Sequence, residues 1–338
     1  MRVFVTGGAG YIGSTLVRLL LNRGYDVVVL DRFFFGTDSL EGVKENVKMI
    51  RGDTRWFDPD VLRGSDAVID LAALSNDPSG ELDPEKTLDI NYRGRLRVAT
   101  LAKKLNVKRY VLASSCSVYG FQDGILSEES PVNPLTTYGK ANLLAENEIL
   151  PLADRAFCPT ALRLATVYGL SYRMRFDLAI NGMVRSLYMT GTIPVMRDGT
   201  QWRPFVHVKD AASAFIKVLE SSEDEVVSQV FNVGSDEQNV QILQLAKIVA
   251  EACGQEARFE WYGSPDRRSY RVSFSKIRNV LRYRTHFEIS REAKEIHEAL
   301  KSGILNPDDR RWITVDWYKH ILEDAELARR VSLNGVIL

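Results

Sequence analysis

The sequence predicts an α/β fold: a doubly wound parallel sheet followed by a smaller C-terminal lobe. Three observations carry this. Short β-branched runs alternate with longer helical patterns from residue 1 to about 165. A glycine-rich turn, 6-TGGAGYIG-13, follows the first run and opens the first helical pattern. After Gly169 the alternation gives way to interleaved helices and short runs.

The runs are 2-RVFVTG, 26-DVVVLD, 47-VKMIRGD, 66-DAVIDLAA, 109-RYVLASS and 160-TALRLA. Most are nearly continuous in Val, Ile, Leu and Ala, the composition of parallel strands covered on both faces. Between them, 12-IGSTLVRLLLNRG, 84-PEKTLDINYRGRLRVATLAKKLN and 137-TYGKANLLAENEIL have helical periodicity, and Gly24 is placed to end the first helix. Farther on, 178-LAINGMVRSLYMTG and 240-VQILQLAKIVAEACG read as helices and 230-VFNVGS as a strand. The expected organisation is a dinucleotide-binding Rossmann domain over 1–168, to which 204–234 can return. A substrate-binding lobe over 169–306 and a helical tail over 307–338 complete it. The tail aromatics Trp312, Trp317 and Tyr318 are expected to pack a surface rather than build a site.

Lysine plus arginine equals aspartate plus glutamate, 44 each, so no bulk charge draws the chain to nucleic acid or to an anionic membrane. Cys116, Cys158 and Cys253 are odd in number and widely spaced. They form neither a disulfide framework nor a metal-ligand pattern, so no metal is expected and a reducing cytoplasm suits them. The chain opens directly on an apolar strand, without the layout of a secretory signal. No apolar run approaches the ~20 residues that span a bilayer.

The opening turn contains GxGxxG as Gly8, Gly10 and Gly13, and GxxGxxG as Gly7, Gly10 and Gly13. Between a strand and a helix, such glycines allow a tight turn and present unpaired N–H groups and a positive dipole end to a pyrophosphate. Asp31 ends the second run, about the ~20 residues downstream where an acid binds the adenosine ribose. A carboxylate there accepts from the ribose hydroxyls and repels a 2′-phosphate, which favours NAD over NADP. Arg32 next door is the competing feature, since a guanidinium can pair with that phosphate. Asp53, at the end of the third run, can accept from the adenine amino group or simply shape a turn. The expected cofactor contacts are Gly7, Gly10, Tyr11, Ile12, Gly13, Asp31, Arg32, Asp53, Thr54, Leu71, Ala72, Ala73, Tyr138 and Asn142.

The start TGGAGYIG, the run 113-ASSCSVYG-120, Tyr138 with the helix after it, and 203-RPFVHVKD-210 together resemble the extended short-chain dehydrogenase/reductase family. More narrowly they resemble its NAD-dependent epimerase/dehydratase branch, which acts on nucleotide sugars. The chemistry is coherent on its own terms. Hydride transfer between a secondary alcohol and nicotinamide needs a proton acceptor at the alcohol oxygen and a hydrogen bond to steady it. Tyr138 is the acid/base candidate and Ser115 its partner, with Ser117 in reach.

A phenol has an unperturbed pKa near ~10, and a nearby cation lowers it. The resemblance implies a lysine four residues after the tyrosine, on the same helical face; here that place holds Asn142. Lys140 is only two residues on and faces away. Asn142 can hydrogen-bond a ribose but supplies no charge. Three readings follow: a slower enzyme leaning on the positive ring of NAD, another cation reaching in, or a disabled site. Asn142→Lys is then expected to raise turnover at neutral pH.

The resemblance also implies how the reaction divides. A 4,6-dehydratase needs an Asp-Glu pair just after its serine, where this chain has Cys116 and Ser117. Simple 4-epimerisation through a transient 4-keto sugar needs no further acid or base. Decarboxylation of a uronic acid stays open, as does a catalytically weak NAD-binding protein. Arg203 and Arg267 with Arg268 fall where relatives hold the substrate diphosphate, and Thr166 where many have an asparagine. Asn181 can touch sugar or base, although an ordinary polar residue on a helix face is the commoner case; His207 reads as structural, and Cys116 as an inert core thiol. The helices at 84–105 and 137–150 resemble those that pair in family homodimers.

Overall fold

The run 2-RVFVT forms strand β1 (Arg2–Thr6) of a computed structural model that describes residues 1–264 and 268–338. Val3, Phe4 and Val5 are completely shielded, because helices cover both faces of the sheet and a strand so placed buries consecutive side chains. β2 (Asp26–Asp31) follows the same rule, whereas β3 (Val47–Arg51) is an edge and leaves Lys48 and Arg51 in water. β4 (Ala67–Asp70) is buried throughout, and β5 (Arg109–Ser115) nearly so.

Seven parallel strands form one sheet in the order Val230–Val233, Cys158–Leu164, β5, β4, β1, β2, β3. The chain runs outward from β1 to β3, then crosses back to β4 on the other side of β1. That reversal opens a crevice at the carboxyl ends of β1 and β4, where open α/β sheets bind ligands. Helix α1 (Tyr11–Asn22) and helix Val208–Glu220 cover one face, burying Leu16, Leu20, Phe215 and Leu219. Helices Arg95–Lys104 and Thr137–Ile149 cover the other, burying Val98, Ala102, Ala145 and Ile149.

The pattern read as one helix over 84–105 is broken in two. Pro84–Leu88 is α-helical, Asp89–Gly94 widens into a π-helical turn, and the α-helix resumes at Arg95. Such wide turns concentrate near functional sites. Gly94 is required here, since a Cβ on it would lie 2.7 Å from Thr54 Oγ1.

Beyond Gly169, helices Ala179–Thr190, Ile242–Ala252 and Ile289–Lys301 share a second core that includes Ile180, Val184, Leu245, Val249, Ile296 and Leu300. Strand Trp202–His207 pairs with Thr166–Tyr168 and Asn239–Gln241 outside the large sheet, while Val230–Val233 is the edge of that sheet. Helices Thr314–Glu323 and Ala325–Val331 fold the tail back onto the first lobe, where Tyr318, Ile321, Val331 and Leu338 cluster with Phe34, Phe35 and Leu74. Among the described residues no helix is long and apolar enough to cross a membrane. No group of three or more His, Cys, Asp or Glu side chains is placed to hold a metal there.

Candidate active site

One continuous crevice runs along the carboxyl ends of the strands from β2 to Cys158–Leu164. Every expected cofactor contact except Asn142 lines it, as do Ser115, Ser117, Thr166 and Arg203.

At the phosphate end the glycines are demanded by geometry. Gly7 has φ +68°, and a Cβ on Gly13 would sit 2.2 Å from the Gly7 carbonyl oxygen. Gly10 begins α1 without any side-chain cap, which leaves the first-turn N–H groups to a ligand. Asp31 is held by the N–H groups of Ala9 (3.0 Å) and Phe33 (2.8 Å). Burial raises its pKa against the pull of these donors.

Arg32 lines the crevice with both terminal nitrogens engaged inside the protein. Its Nη1 pairs with Asp53 Oδ2 at 2.5 Å, and its Nη2 donates to the carbonyls of Val336 and Ile337, each at 2.8 Å. Asp53 departs from the adenine-binding expectation for the same reason. Its oxygens also accept from Arg55 Nε, Nη2 and backbone N, each at 2.9 Å. The roughly four acceptor sites of a carboxylate are then filled. Burial pushes its pKa up, but Arg55 and Arg32 outweigh it and hold the group below the usual carboxylate range.

Two arginines absent from the expected set also line the crevice, in 173-RMR-175. Arg175 pairs with Asp177 at 2.6 Å. Arg173 has no carboxylate partner among the described residues: it lies 3.6 Å over the Phe35 ring, donates to Thr314 Oγ1 at 3.0 Å, and leaves Nε unpartnered. Burial, with Arg175 adding to it, pushes its pKa down to about 9. A buried cation with an orphaned donor in the crevice that the glycine turn also lines fits the pyrophosphate of a dinucleotide.

Asn181 departs from its expected sugar or base contact. It is completely buried behind the crevice wall, donating to Tyr11 Oη (3.0 Å) and accepting from Gly169 N (3.0 Å). The tail aromatics do more than cover a surface. Tyr318 lines the crevice with Ile337 and Leu338, and Trp317 Nε1 donates to the Phe34 carbonyl at 2.7 Å.

At the other end, Thr136 caps the helix Thr137–Ile149 by accepting from Gly139 N at 3.1 Å, which sets Tyr138 in its first turn. Ser115 Oγ and Ser117 Oγ are 2.5 Å apart beside it. Burial raises the Tyr138 phenol above its ordinary pKa; Arg95 opposes this, Asp77 adds to it, and the Ser115 and Asn142 side chains oppose it. Asn142 itself is completely buried and does not face the crevice. Its Oδ1 accepts from Arg95 Nη1 at 2.7 Å, and its Nδ2 donates to the Tyr138 carbonyl at 2.9 Å. Arg95, and not Asn142, lines the crevice at this place.

The crevice continues past Ser117 toward Arg203, Arg268 and Tyr270. Arg203 Nη1 donates to the Trp202 carbonyl at 2.9 Å, and Arg268 Nη1 pairs with Asp77 at 2.6 Å. Arg267 lies outside the described residues. His207 is buried and stacked 4.1 Å from Phe287. Cys116 is 1 % exposed and donates to the Arg163 carbonyl at 3.3 Å, and burial pushes its thiol far up. Cys116→Ala is expected to leave turnover within about twofold, measured as initial rate, because a thiol so protonated is no nucleophile or base.

The family model of the NAD dependent epimerase/dehydratase family matches residues 3–234. A UDP-glucose 4-epimerase of Lactobacillus helveticus is 33 % identical over 272 residues, which covers 74 % of this chain and 82 % of the relative. Among solved structures, MoeE5 in complex with UDP-glucuronic acid and NAD superposes with a TM-score of 0.80 at 29 % identity, over 90 % of this chain and all of that one. A UDP-glucuronic acid 4-epimerase from Bacillus cereus does so with a TM-score of 0.80 at 25 % identity, over 89 % and 99 %. The match spans far more than half of the chain and its glycine turn, strand order and crevice agree with it: this protein is an enzyme of the NAD-dependent epimerase/dehydratase family.

Proposed function

We propose that the protein epimerises a nucleotide-diphosphate sugar at C4. One observation supports the choice among the reactions of the family: Tyr138 lines the crevice with Ser115 and Ser117, the two positions after Ser115 carry no carboxylate, and the nearby Asp77 is tied to Arg268 and Thr136. Position 116 holds a sealed thiol and position 117 a hydroxyl, so the proton removal and water loss of a dehydratase lack their groups. The relatives named above act on or bind UDP-sugars, which makes UDP the first nucleotide to test.

Asp31, the Gly7–Gly13 turn and Arg173 would hold NAD, which when bound supplies a hydride acceptor that returns the same hydride. Asp31 accepts from ribose hydroxyls and Arg32 is committed elsewhere, which supports NAD over its phosphorylated form. Tyr138 takes the proton of the C4 hydroxyl as the C–H bond breaks, and Ser115 steadies the oxygen as it becomes a carbonyl. Arg203 and Arg268 face the substrate end and serve the diphosphate. After the keto sugar turns over, Tyr138 gives the proton back and the epimer leaves.

The homodimer and the cytoplasm are part of this reading. The three described cysteines are all buried and free, as suits a reducing compartment. The helix Thr137–Ile149 exposes Leu144 on the face that analogy assigns to a partner. The test of the function is a panel of UDP-, GDP- and dTDP-sugars offered to the NAD-loaded protein. A C4 epimer supports the proposal. A 4-keto or pentose product assigns dehydration or decarboxylation, and binding without turnover assigns a cofactor-binding role.

A further inference from the structure

Arg95 begins the helix Arg95–Lys104 and is 2 % exposed. Its hydrogen bonds go to neutral acceptors, Asn142 Oδ1 at 2.7 Å and the Ala72 carbonyl at 3.2 Å, and among the described residues no carboxylate is in direct contact with it. The Asn142 amide continues to the Tyr138 carbonyl at 2.9 Å. Arg95 and Tyr138 line the same crevice. A guanidinium stays protonated at every working pH, and in a closed interior its field reaches a neighbouring oxygen with little screening.

We propose that Arg95 is the cation that poises Tyr138, and that Asn142 clamps the guanidinium in place rather than touching the cofactor. Arg95 is thus a positioning residue that acts through the phenol, and the proposal rests on the reading of Tyr138 as acid/base. The wide turn Asp89–Gly94 carries Arg95 out of the register of a continuous helix.

The groups around the pair are few. Asp77 faces the phenol and is held by Arg268 at 2.6 Å. Asp70, at the end of β4, faces Arg95 and accepts from Thr6 Oγ1 at 2.5 Å and from the Tyr110 hydroxyl. Burial raises Asp70 against the pull of Arg95, and its carboxylate is occupied by the Thr6 and Tyr110 hydroxyls. Ser115 and Ser117 do not titrate. Arg95 is the largest influence opposing the rise that burial imposes on the phenol. An ammonium at position 142 would meet this guanidinium in a sealed interior, so Asn142→Lys alone is now expected to lower turnover, reversing the expectation from the sequence.

The experiment uses the NAD-loaded protein and two readouts: the pH profile of sugar turnover, and the titration of Tyr138 as tyrosinate absorbance minus that of Tyr138→Phe in the same background. Arg95→Met is expected to move the phenol titration up by about 1–2 pH units and to lower turnover at neutral pH about 10- to 100-fold, with recovery as pH rises. Asn142→Lys in the Arg95→Met background is expected to move the titration back down and turnover at neutral pH back up. Arg95→Gln keeps a donor for Asn142 while removing the charge, and the same shift is expected should Arg95→Met fold poorly. A phenol titration unmoved in a folded Arg95 variant overturns the proposal, as does a loss of turnover equal at every pH. Failure of the wild type to convert any sugar would instead remove the function proposed for Tyr138, and the absorbance titration would still decide the role of Arg95.

Discussion

Tyr138→Phe is expected to cut turnover by about 10²- to 10⁴-fold while NAD stays bound. The phenol lies in the crevice beside Ser115 and Ser117 and can both take and return a proton, whereas the nearby Asp77 is paired with Arg268 and accepts from Thr136 Oγ1. Serine hydroxyls donate and accept hydrogen bonds but ionise far above working pH. Phenylalanine keeps the ring and its packing in the first turn of the helix Thr137–Ile149, so the variant removes one oxygen and little else. Cofactor content, read from the absorbance of protein-bound nicotinamide after gel filtration, should match the wild type. Turnover within about threefold of the wild type would assign the proton transfer elsewhere.

Deleting Ala325–Leu338 is expected to make the protein lose NAD on gel filtration and to weaken cofactor affinity on the order of tenfold or more, ~1.4 kcal/mol. The tail walls the adenosine end of the crevice. Arg32 is tied to the carbonyls of Val336 and Ile337, Arg51 donates to those of Arg330 (2.6 Å) and Ser332 (3.0 Å), and Leu338 is 4 % exposed among Leu74 and Tyr318. Removing it opens that end to water and frees Arg32 from two of its anchors. The helix Thr314–Glu323 with Tyr318 and Ile321 remains in the truncated chain beside Phe34, Phe35 and Leu74, though it loses Val331 and Leu338 from its cluster. Equilibrium binding of NAD by calorimetry checks the affinity, and circular dichroism checks that the sheet is intact. Unchanged retention would show that the tail is only a cover.

The fold was legible because parallel strands covered on both faces leave an unmistakable trace in sequence: runs such as 27-VVVL and 67-AVI have no polar interruption. The glycine turn was legible for a similar reason, since only glycine fits where Gly13 meets the Gly7 carbonyl. What stayed hidden depends on partners far away in the chain. Asp53 looks like a free strand-end acid until Arg32 and Arg55 are seen to fill its acceptor sites. Asn142 looks like a damaged catalytic position until Arg95, from another helix, is found at 2.7 Å. No local pattern announces that pairing, because a charge on a helix is ordinarily a solvated one. Asn181 and Tyr318 exchanged expected roles in the same way: one polar side chain closes a wall from behind, and one tail aromatic faces the crevice.

The central claim is that a sugar is oxidised and re-reduced at one carbon beside Tyr138. Its most direct test is a UDP-hexose carrying deuterium at C4, incubated with the NAD-loaded protein in ordinary water and followed by NMR. The account predicts the C4 epimer with the deuterium still on C4, since the hydride leaves and returns without meeting solvent. A product whose label has exchanged for solvent hydrogen, or no conversion by protein that holds NAD, would contradict it.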